Sequence, residues 1–388
     1  MNIGNYDILI VGSGFAGGII AYLSAKAGKR VLLLEKRNHI AGNMYDEIDE
    51  ETGLLLQKYG PHSFHTDNKQ VYDLITEIGE WEPFTLQARV EIKGKMTPSP
   101  FNFTTIDMYF PKEKGAKIKK HLVDAYDYAP KVTILEMLEH DDPVIREYAE
   151  FLFEEDYRPY TVKQWGISPK DLDISVLRRV PVRLSYIDQY FDDKYQMLPV
   201  GGFSEFFKKM LDNPNITVSL SVDALDRIKP EYESGTMLFD GQTLNIPVVY
   251  TGALDELMEH KFGKLPYRSL HFEYVRSFPA HFQEATGIAY PFAKGYTRVI
   301  DYSNMPVQDI NNRSVLVYEY PVEYGSELGE IPYYPTLTKD SQNMYSCYLE
   351  HMQRIPNLYP CGRLADFKYY NMDNAIERAM DVFNTIKF

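Results

Sequence analysis

The sequence predicts a mixed α/β (α+β) protein in which a parallel-sheet domain is combined with a helical domain and an antiparallel sheet. A short apolar run at 7–11 passes through glycines into a helical pattern, which is the unit that builds parallel sheets. From 106 to 179, apolar residues recur at three- and four-residue spacing with few glycines, a pattern typical of helices. Strand-like segments at 270–275, 297–301 and 314–320 predict the antiparallel sheet.

The first strand and helix carry a dinucleotide-binding fingerprint. Its residues are Gly12, Ser13, Gly14, Phe15, Ala16 and Gly17. In such a G-x-G-x-x-G motif the first glycine permits a tight turn, the second admits a pyrophosphate, and the third lets helix and strand pack closely. A second apolar strand ends at Glu35, about 20 residues further on, where a carboxylate is expected to bind the ribose hydroxyls.

The residues after Glu35 favour FAD over NAD. Lys36 and Arg37 are followed by a loop that contains Gly42 and Asn43, as in flavoproteins of the glutathione-reductase type. An NAD enzyme more often continues into another crossover helix. At the other end of the chain, a strand, a glycine turn and a closing helix return after residue 358, which is how such folds complete an FAD site.

Composition limits the other classes of partner. The 388 residues are enough for two or three domains, and the net charge of −14 disfavours nucleic acid and anionic membranes as partners. No apolar run reaches the roughly 18 residues of a membrane span, and the N-terminus lacks the basic start of a signal peptide. Cys347 and Cys361 form no disulfide framework or metal motif, so we expect no metal and a cytoplasmic location.

The pattern divides the chain into three discontinuous parts. The predicted FAD domain comprises 1–80, 200–240 and 350–388, the helical domain 103–185, and the antiparallel sheet domain 81–102, 186–199 and 241–349.

Several polar residues in this frame could serve function or structure. His62 and His65 follow Pro61 in a shaped loop, and ordinary histidines in a turn remain an equal explanation. Zinc is disfavoured because no cysteine or third histidine stands at ligand spacing. Trp165 could stack on a ligand or fill a core, whereas the arginines near Arg179 are better suited to holding phosphate.

Together these motifs resemble the UDP-galactopyranose mutase family over most of the chain. Besides the fingerprint, the matching segments are HIAGN at 39–43, YGPHSFHT at 59–66, YTVKQWG at 160–166, RVPVR at 179–183, YRSL at 267–270, PYYP at 332–335 and CGRL at 361–364. The resemblance implies an FAD domain, a helical domain and a six-stranded antiparallel sheet in a homodimer.

The resemblance also implies an activity. Members interconvert UDP-galactopyranose and UDP-galactofuranose with FAD that an external reductant has reduced. The flavin N5 is thought to form an adduct at the anomeric carbon, which is covalent catalysis by the cofactor.

Residue roles follow from matching the family motifs. Arg179, Arg298 and His62 would be catalytic, and Thr161, Trp165, Tyr190, Arg298, Tyr334 and Tyr369 would bind the substrate. The cofactor would be held by Gly12, Ser13, Gly14, Phe15, Ala16, Gly17, Glu35, Lys36, Arg37, Gly42, Asn43, Pro61, His62, Arg363, Tyr370, Met372 and Asp373.

Departures from the family pattern leave the sugar and base open. Galactose enzymes usually read FFKGYT where this chain has DYRPYT at 156–161, which changes the uridine side of the pocket. Ala88, Pro291 and Asn371 also replace residues that are usual in the family. UDP-N-acetylgalactosamine and dTDP-fucose therefore stand beside UDP-galactose as candidate substrates.

Two other classes of function share these features. A flavin oxidoreductase of the amine-oxidase or desaturase type would use the same FAD domain, but it predicts an apolar tunnel without paired arginines. A non-catalytic nucleotide-sugar binder would keep FAD only as a structural element. It would bind the sugar nucleotide without turning it over.

Overall fold

The computed structural model describes residues 2–165 and 180–388, with the Trp165 side chain outside that description. The strands are β1 (Ile8–Val11), β2 (Val31–Leu34), β3 (Asp46–Ile48), β4 (Leu55–Gln57), β5 (Phe64–Thr66), β6 (Trp81–Pro83), β7 (Ala88–Ile92), β8 (Lys95–Ser99), β9 (Lys131–Val132), β10 (Val182–Arg183), β11 (Tyr195–Pro199), β12 (Ile216–Ser219), β13 (Ile228–Glu231), β14 (Thr236–Phe239), β15 (Gln242–Leu244), β16 (Val248–Tyr250), β17 (Tyr267–Phe278), β18 (Gly287–Ala289), β19 (Arg298–Asp301), β20 (Ser314–Glu323), β21 (Tyr334–Pro335) and β22 (Leu358–Pro360). The helices are α1 (Phe15–Lys26), α2 (Lys69–Ile78), α3 (Phe103–Tyr109), α4 (Lys112–Ala125), α5 (Ile134–Leu138), α6 (Pro143–Leu152), a π-helix (Phe153–Tyr157), α7 (Arg158–Trp165), α8 (Phe203–Leu211), α9 (Leu254–Leu257), α10 (Lys339–Met352) and α11 (Met372–Thr385).

A parallel sheet with the order β12-β2-β1-β16-β22 forms the centre of the nucleotide-binding part. Its strands are apolar because both faces are covered. Ile8 and Ile10 point to one face, where they join the core formed with α1, α8 and α11. Leu9 points to the other face and packs with the β13–β15 sheet and α10.

The helical layer has a separate core, as its apolar spacing predicts. Side chains from α4 and α6, including Ile118, Leu122, Ile145 and Leu152, are fully buried together. The π-helix continues α6 without a break and passes into α7, so α7 is held at the edge of this layer. This arrangement brings α7 against β20 of the large sheet.

The large sheet differs from the prediction in its strand number and in one pairing. In the described part of the chain it has seven strands, with the order β21-β17-β20-β19-β18-β7-β8, where six had been expected. Most neighbours are antiparallel, but β18 runs parallel to β7. The hairpin β7–β8 adds this edge because Lys93 and Gly94 make a tight turn with positive φ values of 51° and 78°. The predicted class, an FAD-type α/β domain with helical and antiparallel parts, is confirmed.

The predicted limits of the sheet domain are wrong at three places. The segment 241–349 contains β16, which lies in the parallel sheet between β1 and β22. The segments 81–102 and 186–199 contain β6 and β11, which belong to a separate small sheet in which β11 lies between β5 and β6. Alternating strand patterns are the same in either sheet, so the sequence could not assign these strands. The remaining limits stay a prediction.

No helix in the described ranges is both long and apolar enough to cross a membrane.

Candidate cofactor and substrate site

A cavity of about 570 Å³ lies beyond the carboxyl ends of β1, β2 and β16. This is where open α/β sheets bind their ligands. Of the predicted cofactor residues, those that line it are Gly12, Ser13, Gly14, Phe15, Ala16, Glu35, Lys36, Arg37, Gly42, Asn43, Arg363, Tyr370 and Met372. Residues that are far apart in sequence thus meet at one edge of the sheet.

The fingerprint glycines are required by close backbone approaches. Gly12 has a φ of +95°, and a Cβ on Gly17 would stand 1.9 Å from the Gly12 carbonyl oxygen. Gly17 does not line the cavity, and its contribution is the packing of α1 against β1. A Cβ on Gly42 would lie 3.0 Å from the Gly14 Cα. The two loops therefore come together closely enough to clasp a narrow group such as a pyrophosphate.

Glu35 is held in place at the end of β2. Its Oε2 accepts hydrogen bonds from the Ser13 backbone N–H at 2.9 Å and from the Ser13 hydroxyl at 2.6 Å, and its Oε1 accepts one from the Arg37 N–H at 2.9 Å. A carboxylate fixed in this way keeps acceptor capacity for ribose hydroxyls. Lys36 turns outward and pairs with Asp223 at 2.9 Å.

Arg37 supplies positive charge at the cavity wall. Its Nη2 donates to Asn43 Oδ1 at 2.8 Å, and its guanidinium lies 4.2 Å from the centre of the Tyr59 ring. Its Nη1 is buried and has no hydrogen-bond partner among the described residues. Buried donors are rarely left unpaired, so this atom fits a cofactor oxygen, and with it the residues fit a dinucleotide.

Two helix N-termini face the same cavity. The first turn of α1 has no side-chain cap and no acidic residue, so its N–H groups and its positive dipole end are available to phosphate. Met372 at the start of α11 lines the cavity as well. Asp373, the next residue, does not line it, and burial raises the pKa of its carboxyl beside His65 and Thr66.

A second cavity of about 280 Å³ adjoins the first, and the two share Arg363, Asn371 and Met372. The large sheet contributes its floor through β7, β18, β19, β20 and β21, and α7 contributes a wall. The predicted residues that line it are Pro61, His62, Thr161, Tyr190, Arg298, Tyr334, Arg363, Tyr369 and Met372. Arg179 lies outside the described residues, as does the Trp165 side chain at the end of α7.

Arg298 and Glu319 form an ion pair in the floor of this second cavity. They stand opposite each other on β19 and β20, with 2.8 Å from Arg298 Nε and 2.6 Å from its Nη2 to Glu319 Oε2. Burial tends to lower the pKa of Arg298, but the charge of Glu319 outweighs that effect and the pKa is raised. Both nitrogens meet one carboxylate oxygen, and the guanidinium stays partly exposed to the cavity, with 31% of the side chain accessible. The cation can therefore also bind an anionic ligand.

Two tyrosines and a second arginine stand beside this pair. The rings of Tyr334 and Tyr369 are stacked, with centres 5.2 Å apart and planes 9° apart. The Arg363 guanidinium lies 5.3 Å from the centre of each ring. Burial raises the pKa of Tyr334, so its hydroxyl keeps its proton and can donate a hydrogen bond. Together with Arg298, these groups make one end of the cavity cationic and rich in donors.

His62 is neutral at this position. Burial, and then the positive charges of Arg363 and Arg298, lower its pKa to about 3. Its Nδ1 is buried without a hydrogen-bond partner in the described structure, while Gln57 holds its backbone on both sides. An uncharged imidazole adds no repulsion to the arginines, and it can donate a hydrogen bond from one ring nitrogen and accept one at the other. The described residues contain no cluster of His, Cys, Asp and Glu that could hold a metal.

Lys163 joins two walls of the substrate cavity. Its ammonium donates to the carbonyls of Tyr290 at 2.5 Å, Ala293 at 2.8 Å and Tyr296 at 2.8 Å. These carbonyls belong to the loop that leads into Arg298, whereas α7 carries Thr161. Burial lowers the pKa of Lys163 to about 8. The lysine thus fixes α7 relative to the strand that bears Arg298.

Sequence reasoning missed part of both cavities. In the first, the structure adds Tyr59, 222–225, 251–253 and Tyr333. In the second it adds Asp156, Tyr160, Gln164 and Glu319, among others. The strand-to-glycine pattern at 248–252 was visible, but its place beside β1 was not. Glu319 could have been found because it interrupts the apolar and aromatic run 315–320 of β20.

The fold and the site define a class: a flavoprotein in which an FAD cavity opens into a chamber suited to an anionic, phosphate-bearing substrate. Sequence comparisons assign the family. The UDP-galactopyranose mutase family model matches residues 156–369, and a model of NAD(P)-binding Rossmann-like domains matches residues 10–78. The chain belongs to the UDP-galactopyranose mutase family, whose members are isomerases, and FAD is its cofactor.

Individual relatives cover nearly the whole chain. The UDP-galactopyranose mutase of Mycoplasma pneumoniae is 32% identical over 98% of this chain and 96% of its own length. A dTDP-fucopyranose mutase of Escherichia coli is 32% identical over 96% of both chains. A crystal structure of reduced UDP-galactopyranose mutase superposes with a TM-score of 0.73 at 17% identity, covering 98% of this chain and 93% of that chain, which supports the fold.

Proposed function

We propose that this chain interconverts the pyranose and furanose forms of a nucleotide sugar, with UDP-galactose as the first candidate. The observation that carries the proposal is the position of Arg298, Arg363 and the Tyr334–Tyr369 stack at the junction with the cofactor cavity. A sugar bound through its diphosphate at these residues lies next to the cofactor. The amine or lipid substrates of the alternative oxidoreductases carry no diphosphate for such a cationic end of the cavity to bind.

The reaction requires a leaving diphosphate to be stabilised and later returned. When bound and reduced, the flavin supplies a nucleophilic nitrogen, N5, for the anomeric carbon. Arg298, with Arg179 as its proposed partner, neutralises the charge that develops on the diphosphate. The tyrosine hydroxyls hydrogen-bond the same phosphates and keep them near the sugar. A diphosphate held in this way remains close enough to recombine with the sugar.

His62 is proposed to control protons beside the cofactor. Its neutral imidazole can donate a hydrogen bond from one ring nitrogen and accept one at the other without adding charge to the arginine cluster. Thr161 and Tyr190 line the chamber on the side of α7, where we propose that they contact the substrate together with Trp165.

The identity of the sugar nucleotide is a separate proposal. The curated relatives include both a UDP-galactopyranose mutase and a dTDP-fucopyranose mutase at the same 32% identity. UDP-N-acetylgalactosamine and dTDP-fucose therefore remain alternatives for the same chemistry. An external reductant for the flavin and a homodimeric assembly are also proposed.

The test is turnover of the flavin-loaded protein with and without dithionite. Separate reactions contain UDP-galactofuranose, UDP-N-acetylgalactosamine and dTDP-fucose, and chromatography separates pyranose from furanose. We expect conversion only after reduction, and the fastest substrate names the sugar. No conversion of any of them, together with reoxidation of the flavin by an amine or lipid, would replace the mutase by an oxidoreductase. Tight binding of a UDP-sugar without turnover would instead indicate a binding protein.

A further inference from the structure

One carboxyl group in the substrate cavity has no part in the chemistry proposed so far. Asp156 lines the cavity from the π-helix between α6 and α7. No hydrogen bond to its side chain is formed within the described residues, although its neighbours Glu154 and Glu155 pair with Arg158 and Lys93. Single π-helical turns inside α-helices occur frequently at functional sites because they redirect side chains.

The order of strands in the floor gives Asp156 a position along the cavity. The π-helix packs against β7, whereas Arg298 is on β19 and Tyr334 is on β21. In the sheet, β7 is separated from β19 by β18 alone, and β21 lies on the far side of β19. Neighbouring strands are 4.7–4.9 Å apart, so β7 is ~10 Å from the strand of Arg298.

A nucleotide sugar must lie across this floor in one direction. Its sugar belongs at the junction with the cofactor cavity, near Asn371 and Met372, and its diphosphate belongs at Arg298 and the Tyr334–Tyr369 stack. The nucleoside is attached to the opposite end of the diphosphate, so it extends over β18 and β7. The cavity-lining residues of these strands are Ala88, Arg89, Val90, Gly287 and Ala289, and the small residues at 88, 287 and 289 leave room for a flat ring. Asp156 stands at that end.

We propose that Asp156 recognises the nucleobase, by accepting a hydrogen bond from the imide N–H of a uracil or thymine. This inference rests on the proposed nucleotide-sugar chemistry. It identifies the base as the part of the substrate that Asp156 contacts. A carboxyl oxygen accepts such a hydrogen bond, and in the protonated form the second oxygen can donate to the neighbouring base carbonyl. Both bases present this carbonyl, O4, beside N3–H.

The surroundings of Asp156 agree with this role. Burial raises its pKa to about 7, so a substantial part of the group is neutral near neutral pH. A fully ionised carboxylate would repel the diphosphate, and a neutral one does not. Burial is the main cause of the raised pKa of Tyr160, and the charges of Arg298 and Asp156 also affect it, so Tyr160 lies near both residues.

The experiment measures binding, which does not depend on turnover or on the redox state of the flavin. UDP, dTDP, CDP and UDP methylated at N3 are titrated into the flavin-loaded protein, its Asp156→Ala and Asp156→Asn variants, and a Glu154→Gln control. Glu154 is on the same π-helix but does not line the cavity. We expect the wild-type protein to bind UDP or dTDP about tenfold or more tightly than CDP and N3-methyl-UDP.

In the expected pattern, the loss of affinity depends on the base of the nucleotide. Asp156→Ala should weaken the preferred of UDP and dTDP about tenfold and leave CDP and N3-methyl-UDP nearly unchanged, so that discrimination disappears. Asp156→Asn, which keeps an acceptor oxygen, should retain the preference, and Glu154→Gln should behave as wild type. The preferred member of UDP and dTDP identifies the base.

Three results would overturn the assignment. They are unchanged UDP and dTDP affinity in Asp156→Ala, an equal loss for all four nucleotides, and a loss for UDP-galactose that is absent for UDP. The last result would indicate that Asp156 contacts the sugar and not the base. A protein that shows the expected base pattern but never converts a sugar would refute the mutase proposal and not the recognition of the base.

Discussion

Arg298 gains its orientation from the buried carboxylate of Glu319, which stands opposite it on β20. If the guanidinium binds the diphosphate, Arg298→Ala should weaken UDP binding by about tenfold or more while FAD is retained. The variant also leaves Glu319 buried without its cation, and breaking a buried pair costs about 3–5 kcal/mol in the free energy of unfolding. Calorimetric titration with UDP and urea unfolding measure the two effects.

A second buried ion pair in the large sheet provides a control that separates the loss of UDP binding from the loss of stability. Arg276 on β17 holds the buried Asp49 at 2.8 Å and lines neither cavity. Arg276→Ala should therefore lose stability but keep its affinity for UDP. If both variants lose UDP affinity equally, the contribution of Arg298 is structural.

Burial lowers the pKa of His62, and the positive charges of Arg363 and Arg298 lower it further. Because its pKa in the folded state is about 3, compared with about 6.5 when unfolded, the unfolded chain binds the proton first as the pH falls. The stability linked to His62 is present above pH 6.5 and is lost between pH 6.5 and pH 3. From pH 7 to pH 5 this amounts to about 2 kcal/mol.

The titration of His62 can be observed directly. In NMR spectra of the holoprotein, the imidazole signal that disappears in His62→Asn should not move between pH 8 and pH 5. The same variant should lose less stability than wild type over that interval in urea unfolding. A midpoint near pH 6 for that signal would mean that the ring is solvated.

At the scale of elements, the turn between β1 and α1 must leave space for the pyrophosphate and must also let α1 pack closely against β1. Substitutions can separate these two requirements. A Cβ on Gly14 would meet nothing nearer than the Gly42 Cα at 3.9 Å, whereas a Cβ on Gly17 would stand 1.9 Å from the Gly12 oxygen. We expect Gly14→Ala to fold but to lose FAD, because the methyl group occupies the path of the pyrophosphate. Gly17→Ala should lose FAD and also unfold at a lower temperature.

The absorbance of the purified flavin and the thermal midpoint of the flavin-free proteins measure this difference. Equal midpoints for the two variants would show that α1 can move away from β1 without cost. Full flavin content in Gly14→Ala would place the pyrophosphate elsewhere.

What the sequence could predict at this scale depended on distance along the chain. The fingerprint and Glu35 lie within one β-α-β unit, so their spacing alone placed them at one cavity. Arg298, Tyr334 and Tyr369 come from three separate segments, and only the family resemblance brought them together. Glu319 and Asp156 were not assigned a role because pairing across β19 and β20, and the π-helix before α7, are tertiary features. The only signals were the acidic interruption of an apolar run for Glu319 and the departure from the family pattern at 156–161 for Asp156.

For the molecule as a whole, the cofactor cavity joins segments from both ends of the chain, from residue 11 to residue 375. A ligand bound there stabilises the native state by mass action, by about 2.7 kcal/mol at one hundred times its dissociation constant. Removing FAD should therefore lower the thermal midpoint, and adding FAD should restore it. FMN lacks the adenosine that the fingerprint and Glu35 are expected to hold, so it should restore little.

Differential scanning calorimetry of the stripped protein, with FAD, FMN or neither, measures this linkage. A midpoint that recovers equally with FMN would mean that the flavin end alone provides the binding energy. It would also remove the adenosine-binding role of Glu35.

Arg363, Asn371 and Met372 belong to the walls of both cavities. A cofactor bound against these residues also lines the substrate cavity, so that cavity is complete only when the flavin is bound. We therefore expect the flavin to bind before the sugar nucleotide. The flavin-free protein is therefore expected to bind a sugar nucleotide only weakly.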